Sequence, residues 1–343
     1  MSFTKKLGIS LAALTIAGGM SSANAQERWS MATPWGGGPL LEQAAKGAAS
    51  EIKLLTGGAI EVEVFPGGTL GKALKVTDTV SKGVAQMGHN WPGYDWGIDR
   101  TGVLFGGFAG TMPHEQMVHW LHKGGGADMW MEWRMDKFNV AAFACSSAPR
   151  EIFMHSHKRI EKLEDYKGVK MRTSGAWAEI AQTLGASTVI LAGSEVYPAL
   201  ERKVVDAIEW AGPKQNMDAG YDKIAKYIIL PGIHQPNAMH ECLVNANAWN
   251  DLSDDHKQIM IRAGRLGVYD FYEQIGHDDA IAFTKLLNGP NEIVDITQEF
   301  KDAAKKAIDE WSAAQGTDNE WFAKVWKSQQ DYAESWKFSS RYR

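Results

Sequence analysis

Apolar positions along this chain change period repeatedly, from every second residue to every third or fourth. Residues 28–33 read as a strand, and the turn Gly36-Gly37-Gly38 leads into an amphipathic helix over 40–55. Gly57-Gly58 closes that helix, because glycine accepts the left-handed cap conformation. Residues 60–65 alternate apolar and acidic, the pattern of a half-buried strand. Pro66-Gly67-Gly68 turns the chain, a helix follows over 72–82, and a short strand over 85–88. This order of strands and helices predicts an open α/β sheet with parallel strands. Such sheets receive ligands at the carboxyl ends of their strands. Those ends are Thr33-Pro34-Trp35, Pro66-Gly67-Gly68 and His89-Asn90-Trp91, so Trp35, Asn90 and Trp91 are candidate ligand contacts.

The middle of the chain is helical in pattern over 115–138, with a break at 124–126. Trp130 and Trp133 lie one turn apart there and read as core. A strand is expected over 139–145. A second α/β unit starts at 169: strand 169–172, helix 176–184, strand 188–191, helix 196–202, strand 207–210. From Ser253 onward the pattern is nearly all helical. Ser253 suits an N-cap, and Asp254 and Asp255 meet the helix dipole. A Trp-rich amphipathic segment covers 298–332. Two α/β units predict two lobes with a ligand cleft between them: 26–150 mainly the first, 151–245 mainly the second, and 246–343 a helical region packing on both. No Pro/Ser-rich linker separates them, so the chain is expected to cross between lobes more than once.

The N-terminus adds a compartment. Lys5 and Lys6 precede an apolar run over 7–20, and Ala23-Asn24-Ala25 follows. That is the form of a secretory signal peptide cut after Ala25, which predicts a periplasmic protein. The run is shorter than the roughly 20 apolar residues of a membrane span. The net charge of -5 over 343 residues, without blocks of like charge, argues against a nucleic-acid partner. The two cysteines, Cys145 and Cys242, fit no zinc spacing. An exported chain permits a disulfide between them, but buried free thiols are common and are the expectation here.

The chemistry starts from what is missing. No nucleophile elbow, H-E-x-x-H, P-loop or dinucleotide glycine motif occurs, and no general base with a named partner emerges, so an enzyme is not expected. His155 and His157 form the closest histidine pair and read as a solvated loop. Arg172 ends a strand, and Thr173-Ser174-Gly175 opens a helix; a guanidinium there can grip a carboxylate with two hydrogen bonds, or sit in a salt bridge. Glu209-Trp210 ends another strand before Gly212-Pro213. Gln235 and Glu241 flank a further strand start. Carboxylate, amide and main-chain oxygens are what hard cations prefer. A metal-dependent lyase acting on an acid is the second reading of these residues.

The stretch from Leu163 to Arg172, L-E-D-Y-K-G-V-K-M-R, resembles the L-x-D-L-K-G-x-K-x-R signature of TRAP-transporter solute-binding proteins, the DctP family. Val196-Tyr197-Pro198-Ala199-Leu200-Glu201 through Val205-Asp206-Ala207-Ile208-Glu209-Trp210 is similar to a second family block, and Phe65-Pro66-Gly67-Gly68-Thr69-Leu70-Gly71 adds to the likeness. The resemblance implies the two-lobed periplasmic binding protein fold, with long C-terminal helices. It implies that Arg172 holds the solute carboxylate. Glu209-Trp210-x-Gly212-Pro213 resembles the branch that binds 2-oxo acids and lactate. There a cation, sodium or calcium, bridges the solute, which implies Glu209, the Trp210 main chain, Gln235 and Glu151 as ligands and no organic cofactor. Glu151 departs from that branch, which usually has glutamine. A second carboxylate would favour a divalent ion; alternatively Arg150 takes the metal's place. Glu241 has no clear counterpart and is kept as a further metal candidate. The implied partners are a small carboxylate, the membrane permease subunits and a second copy of the chain joined through residues 311–336. A larger sugar acid, with Trp35, Trp91 and Tyr94 shaping a roomier cleft, is the alternative solute.

Overall fold

The computed structural model describes residues 27–341, so the leader and the expected cut after Ala25 lie outside the described residues. Eleven strands are described. They are β1 (Glu27–Ala32), β2 (Ile60–Phe65), β3 (Met87–Asn90), β4 (Val140–Ala148), β5 (Met154–Ser156) and β6 (Lys170–Arg172). Then come β7 (Ser187–Val189), β8 (Ala207–Ile208), β9 (Tyr227–Leu230), β10 (Ala238–Asn245) and β11 (Glu292–Asp295). They form two sheets, ordered β2-β1-β3-β10-β4 and β11-β9-β5-β8-β6-β7.

β1 pairs in parallel with β2 and β3, the arrangement that the N-terminal pattern predicts. β10 is antiparallel to both its neighbours, which makes the first sheet mixed. The second sheet is likewise mixed: β6 runs parallel to β7 and β8, while β5 is antiparallel to β8 and β9.

The expected segment 151–245 does not keep to one sheet. Its end, β10, lies in the middle of the first sheet and is buried along its whole length. The C-terminal region is not purely helical either, because β11 adds an edge to the second sheet.

The helix Asp254–Leu287 starts where Ser253 predicts it: the Ser253 hydroxyl accepts from the His256 N–H. It lies directly on β4 through two glycines. A Cβ on Gly264 would meet the Ala144 carbonyl at 2.6 Å, and one on Gly267 the Cys145 carbonyl at 2.4 Å. The segment expected over 298–332 is two helices, Gln298–Asp318 and Glu320–Lys337, split at Asn319, whose side chain caps the second. Trp130 and Trp133 are fully buried and stack on Phe105.

Two sequence expectations fall here. Cys145 and Cys242 are bonded, not free: they sit on the paired strands β4 and β10, 5.6 Å apart at Cα, inside the usual disulfide span. His155 is not in a solvated loop. It lies within β5, fully buried between β8 and β9, and its polar sequence neighbours hid the strand. No described helix is long and apolar enough to cross a membrane.

Candidate functional site

The second sheet brings two chain ends together. β6 finishes on Arg172, which pairs in register with Ile208, the last residue of β8. Glu209 and Trp210 therefore follow at the same edge. Arg172 is 1% exposed. Its Nη1 donates to the Glu209 main-chain oxygen at 2.9 Å and to Glu209 Oε1 at 3.1 Å. Nη2 donates to the Leu191 carbonyl at 3.1 Å, and the guanidinium lies 5.1 Å from the Trp210 ring centre.

Glu151, just before β5, comes in from the other side. Its N–H donates to the Gln235 carbonyl at 3.3 Å, which ties it to the segment ahead of β10. His234 joins the two acids: its Nε2 is 3.1 Å from Glu151 Oε2 and 3.8 Å from Glu209 Oε2. One ligand atom from each of Glu151, Glu209 and His234 lies within 4.8 Å of the others. Burial holds the Glu151 carboxyl well above the usual carboxylate range. The charge of Glu209 pushes the same way, and Arg172 opposes it. Burial pulls His234 down to about 4, so its imidazole is neutral at neutral pH and can present a ring lone pair. Its Nδ1 is buried and has no partner among the described residues. Two carboxylates and a neutral imidazole form a donor set that fits a cation. Gln235 spends its amide hydrogens on the Gly106 and Asn237 carbonyls, which leaves the amide oxygen as its acceptor at the cavity.

These groups border a cavity of about 50 Å³, walled on the first-sheet side by Trp35, Trp91, Tyr94 and His240. A single water needs roughly 10–15 Å³ on the same scale, so the space suits a solute of a few heavy atoms. A larger groove of about 380 Å³ adjoins it, sharing Trp35, Leu40, Trp210 and Gln215.

Most of the residues nominated from sequence meet at this cavity: Arg172, Glu209, Trp210, Glu151, Gln235, Trp35 and Trp91. Three do not. Arg150 is exposed and off the cavity wall, so it is not placed to stand in for a cation. Glu241 is corrected as a metal candidate. It is buried in the first sheet, where Arg134 Nε and Trp130 Nε1 each donate to Oε2 at 2.9 Å and Arg134 Nη2 donates to Oε1. Asn90 goes with it, donating from Nδ2 to Glu241 Oε1 at 3.3 Å. His234 and His240 were missed. His234 is adjacent in sequence to Gln235, and that adjacency was the available signal.

A small cavity between two α/β sheets, walled by aromatic rings on one side and by a buried guanidinium on the other, is the architecture of a two-lobed solute-binding protein. Residues 31–316 match the model of the bacterial extracellular solute-binding protein family 7, DctP, and the chain belongs to that family. It is 31% identical over 286 residues to the monocarboxylate 2-oxoacid-binding periplasmic protein of Nostoc sp. (strain PCC 7120), a match covering 81% of this chain and 76% of that protein. Its fold is similar to a TRAP periplasmic solute-binding protein of Pseudoalteromonas atlantica T6c with bound sodium and pyruvate. That match has a TM-score of 0.87 and 29% identity, and covers 92% of this chain and 97% of the other. A Colwellia psychrerythraea homologue with bound calcium and pyruvate gives 0.86 and 28%, over 92% and 98%.

Proposed function

We propose that this chain captures a small 2-oxo or 2-hydroxy monocarboxylate through a cation, sodium or calcium, and delivers it to TRAP permease subunits from the periplasm, after cleavage behind Ala25. The observation that carries the reading is the joint placement of Arg172, Glu209, Glu151 and His234 around a cavity of about 50 Å³. That volume favours a three- or four-carbon acid over a sugar acid. The relatives named above support the same solute class.

The division of labour follows from the hydrogen bonds. Arg172 is held by Glu209, Leu191 and the Tyr94 hydroxyl, so a carboxylate takes the place of one of these partners. Rotation of the Glu209 carboxylate toward a cation frees Nη1 as the second arm of a clamp. Glu209, Glu151, the Trp210 main-chain oxygen and the Gln235 amide oxygen hold the ion, His234 braces the two acids, and the adjacent carboxylate and 2-oxygen of the acid complete the shell. The acid is carried unchanged. The same reading makes a second copy of the chain a partner along residues 311–336.

Thermal shift with pyruvate tests this, on protein dialysed free of calcium and sodium and then given each ion back. A ligand that binds only the folded state raises the midpoint by mass action. A pyruvate shift that returns with one ion supports the cation bridge. A full shift in choline buffer with chelator, or consumption of pyruvate, would refute it.

A further inference from the structure

The first-sheet wall of the cavity carries a buried hydrogen-bond chain that ends at the cavity. It runs Trp35, His89, Ser146, His240, across β3, β10 and β4. Trp35 Nε1 donates to His89 Nδ1 at 2.8 Å. His89 Nε2 is 3.0 Å from Ser146 Oγ, and Ser146 Oγ is 3.0 Å from His240 Nδ1. His89 and Ser146 are fully buried, and His240 is 4% exposed and borders the cavity.

The direction of every proton in this chain is forced from one end. An indole N–H can only donate, so His89 Nδ1 must accept. Burial, reinforced by His240, keeps His89 neutral, and burial also pulls His240 down to about 3. A neutral His89 that accepts at Nδ1 carries its proton on Nε2 and donates to Ser146. The Ser146 hydroxyl then has one hydrogen to give, and His240 Nδ1 is the acceptor beside it. In the opposite arrangement that buried hydroxyl hydrogen would have no partner, which folded proteins avoid. His240 therefore carries its proton on Nε2. That atom has no side-chain partner among the described residues, and the Ser146 main-chain carbonyl beside the ring raises the proton affinity of His240 against burial. The indole N–H groups of Trp35 and Trp91 are taken by His89 and the Gly106 carbonyl.

We infer that Trp35, His89 and Ser146 lock His240 in the Nε2–H tautomer, and that this N–H is a specificity-determining donor to the solute oxygen facing the first sheet, opposite Arg172. A donor that cannot become an acceptor favours an oxygen at that place and disfavours an ammonium group. His89 and Ser146 are positioning residues, since neither borders the cavity. The inference rests on the solute class proposed above.

The experiment uses the mature protein with histidine labelled by ¹⁵N, calcium present throughout, and pyruvate as the probe. In ligand-free wild type, His240 should be neutral and protonated on Nε2 at pH 7, and pyruvate should move that N–H resonance. His240→Phe should weaken pyruvate about 10–100-fold, the loss of one hydrogen bond to a charged or polarised oxygen. Ser146→Ala leaves the cavity wall intact; it should weaken pyruvate several-fold and turn the His240 signals into a mixture of tautomers. His240→Gln should narrow the preference for pyruvate over alanine. Protonation of His240 on Nδ1, or wild-type affinity in His240→Phe, would overturn the proposal. If His240→Phe does not fold, the tautomer and Ser146→Ala decide it. Failure of wild type to bind pyruvate would sink the proposed solute instead, and the ligand-free nitrogen shifts would still decide the relay.

Discussion

Two buried clusters in this molecule hold the same formal charge and differ in everything else. In the first sheet one arginine, Arg134, sits between Glu241 and Asp95. Between the sheets one arginine, Arg172, sits beside Glu209, with Glu151 close by and a neutral histidine. In the first cluster Glu241 is saturated. Glu241 accepts from Arg134, Trp130 and Asn90, and Asp95 Oδ2 accepts from Thr77 and Arg134 at 2.6 Å each. The second is thin: Glu209 Oε1 has one arginine contact at 3.1 Å, and Glu151 Oε2 has His234. A saturated carboxylate has no lone pair to offer and acts as structure. An under-bonded one borders the cavity and can ligate. Satisfaction, not residue type or burial, separates scaffold from site.

The largest expected break is at the scaffold. Arg134→Met leaves Glu241 and Asp95 buried without their cation, a change that costs about 3–5 kcal/mol. Urea unfolding should show that loss; a loss below about 1 kcal/mol would mean the saturated cluster is not structural. Arg172→Met should do the reverse. Charge-assisted hydrogen bonds contribute about 1.5–3 kcal/mol each, so losing two should weaken pyruvate at least ~100-fold. Calorimetry should find that drop with a smaller stability change than in Arg134→Met. Equal destabilisation by the two would erase the contrast.

Acid sharpens it from the histidine side. Burial depresses His155 and His240 to about 3 and His234 to about 4. The unfolded chain takes up these protons near pH 6.5 and the folded chain does not. Their contribution to stability is therefore complete above pH 6.5 and is lost progressively as pH falls toward 3–4. Each costs about 1.4 kcal/mol per pH unit inside that window. Asp279, raised to about 6 mainly by burial, works against them, as do Glu151 and Glu241, which burial also raises, because each favours the folded state at low pH. The melting midpoint should decline below pH 6.5; a midpoint that rises there would show these imidazoles to be charged in the fold.

What could be read from sequence follows the same division. β1 to β3 and their helices were legible because glycine turns punctuate this part of the chain and the strand sequences are short and largely apolar. Arg172 and Glu209 were legible because a charge at the end of an apolar strand calls for a partner. β5 was obscured by His155, a polar residue on a fully buried strand, whereas the start of β10 was read between Gln235 and Glu241 but its burial was not. Glu241 is made acceptable there by Arg134, 107 residues earlier. Nothing local in the sequence distinguishes Glu241 from Glu209. The cysteine bond was hidden for a related reason, since it depends on β4 and β10 being neighbours across 97 residues. His234 became a ligand candidate only when the segment before β10 met the segment before β5.

The smallest expected effect is the most discriminating. Glu151→Gln removes the second carboxylate while keeping its shape and one acceptor oxygen. The native carboxyl has its proton affinity raised by burial and by Glu209, so the folded chain carries it at a cost once pH exceeds the ordinary carboxylate range. Replacement lifts that cost and loses part of one hydrogen bond to His234, so the ligand-free chain should shift toward higher stability at pH 8. Cation binding has the opposite sign. A cation displaces the Glu151 proton, so wild-type calcium affinity should rise with pH, by up to about tenfold per unit while that proton is still bound. The glutamine variant should bind calcium more weakly and without that slope, and sodium should serve it comparatively better. Calcium titrations at pH 6, 7 and 8 read both quantities. A variant that keeps the slope would mean that Glu151 is no ligand, and that the thin cluster, like the saturated one, is scaffold.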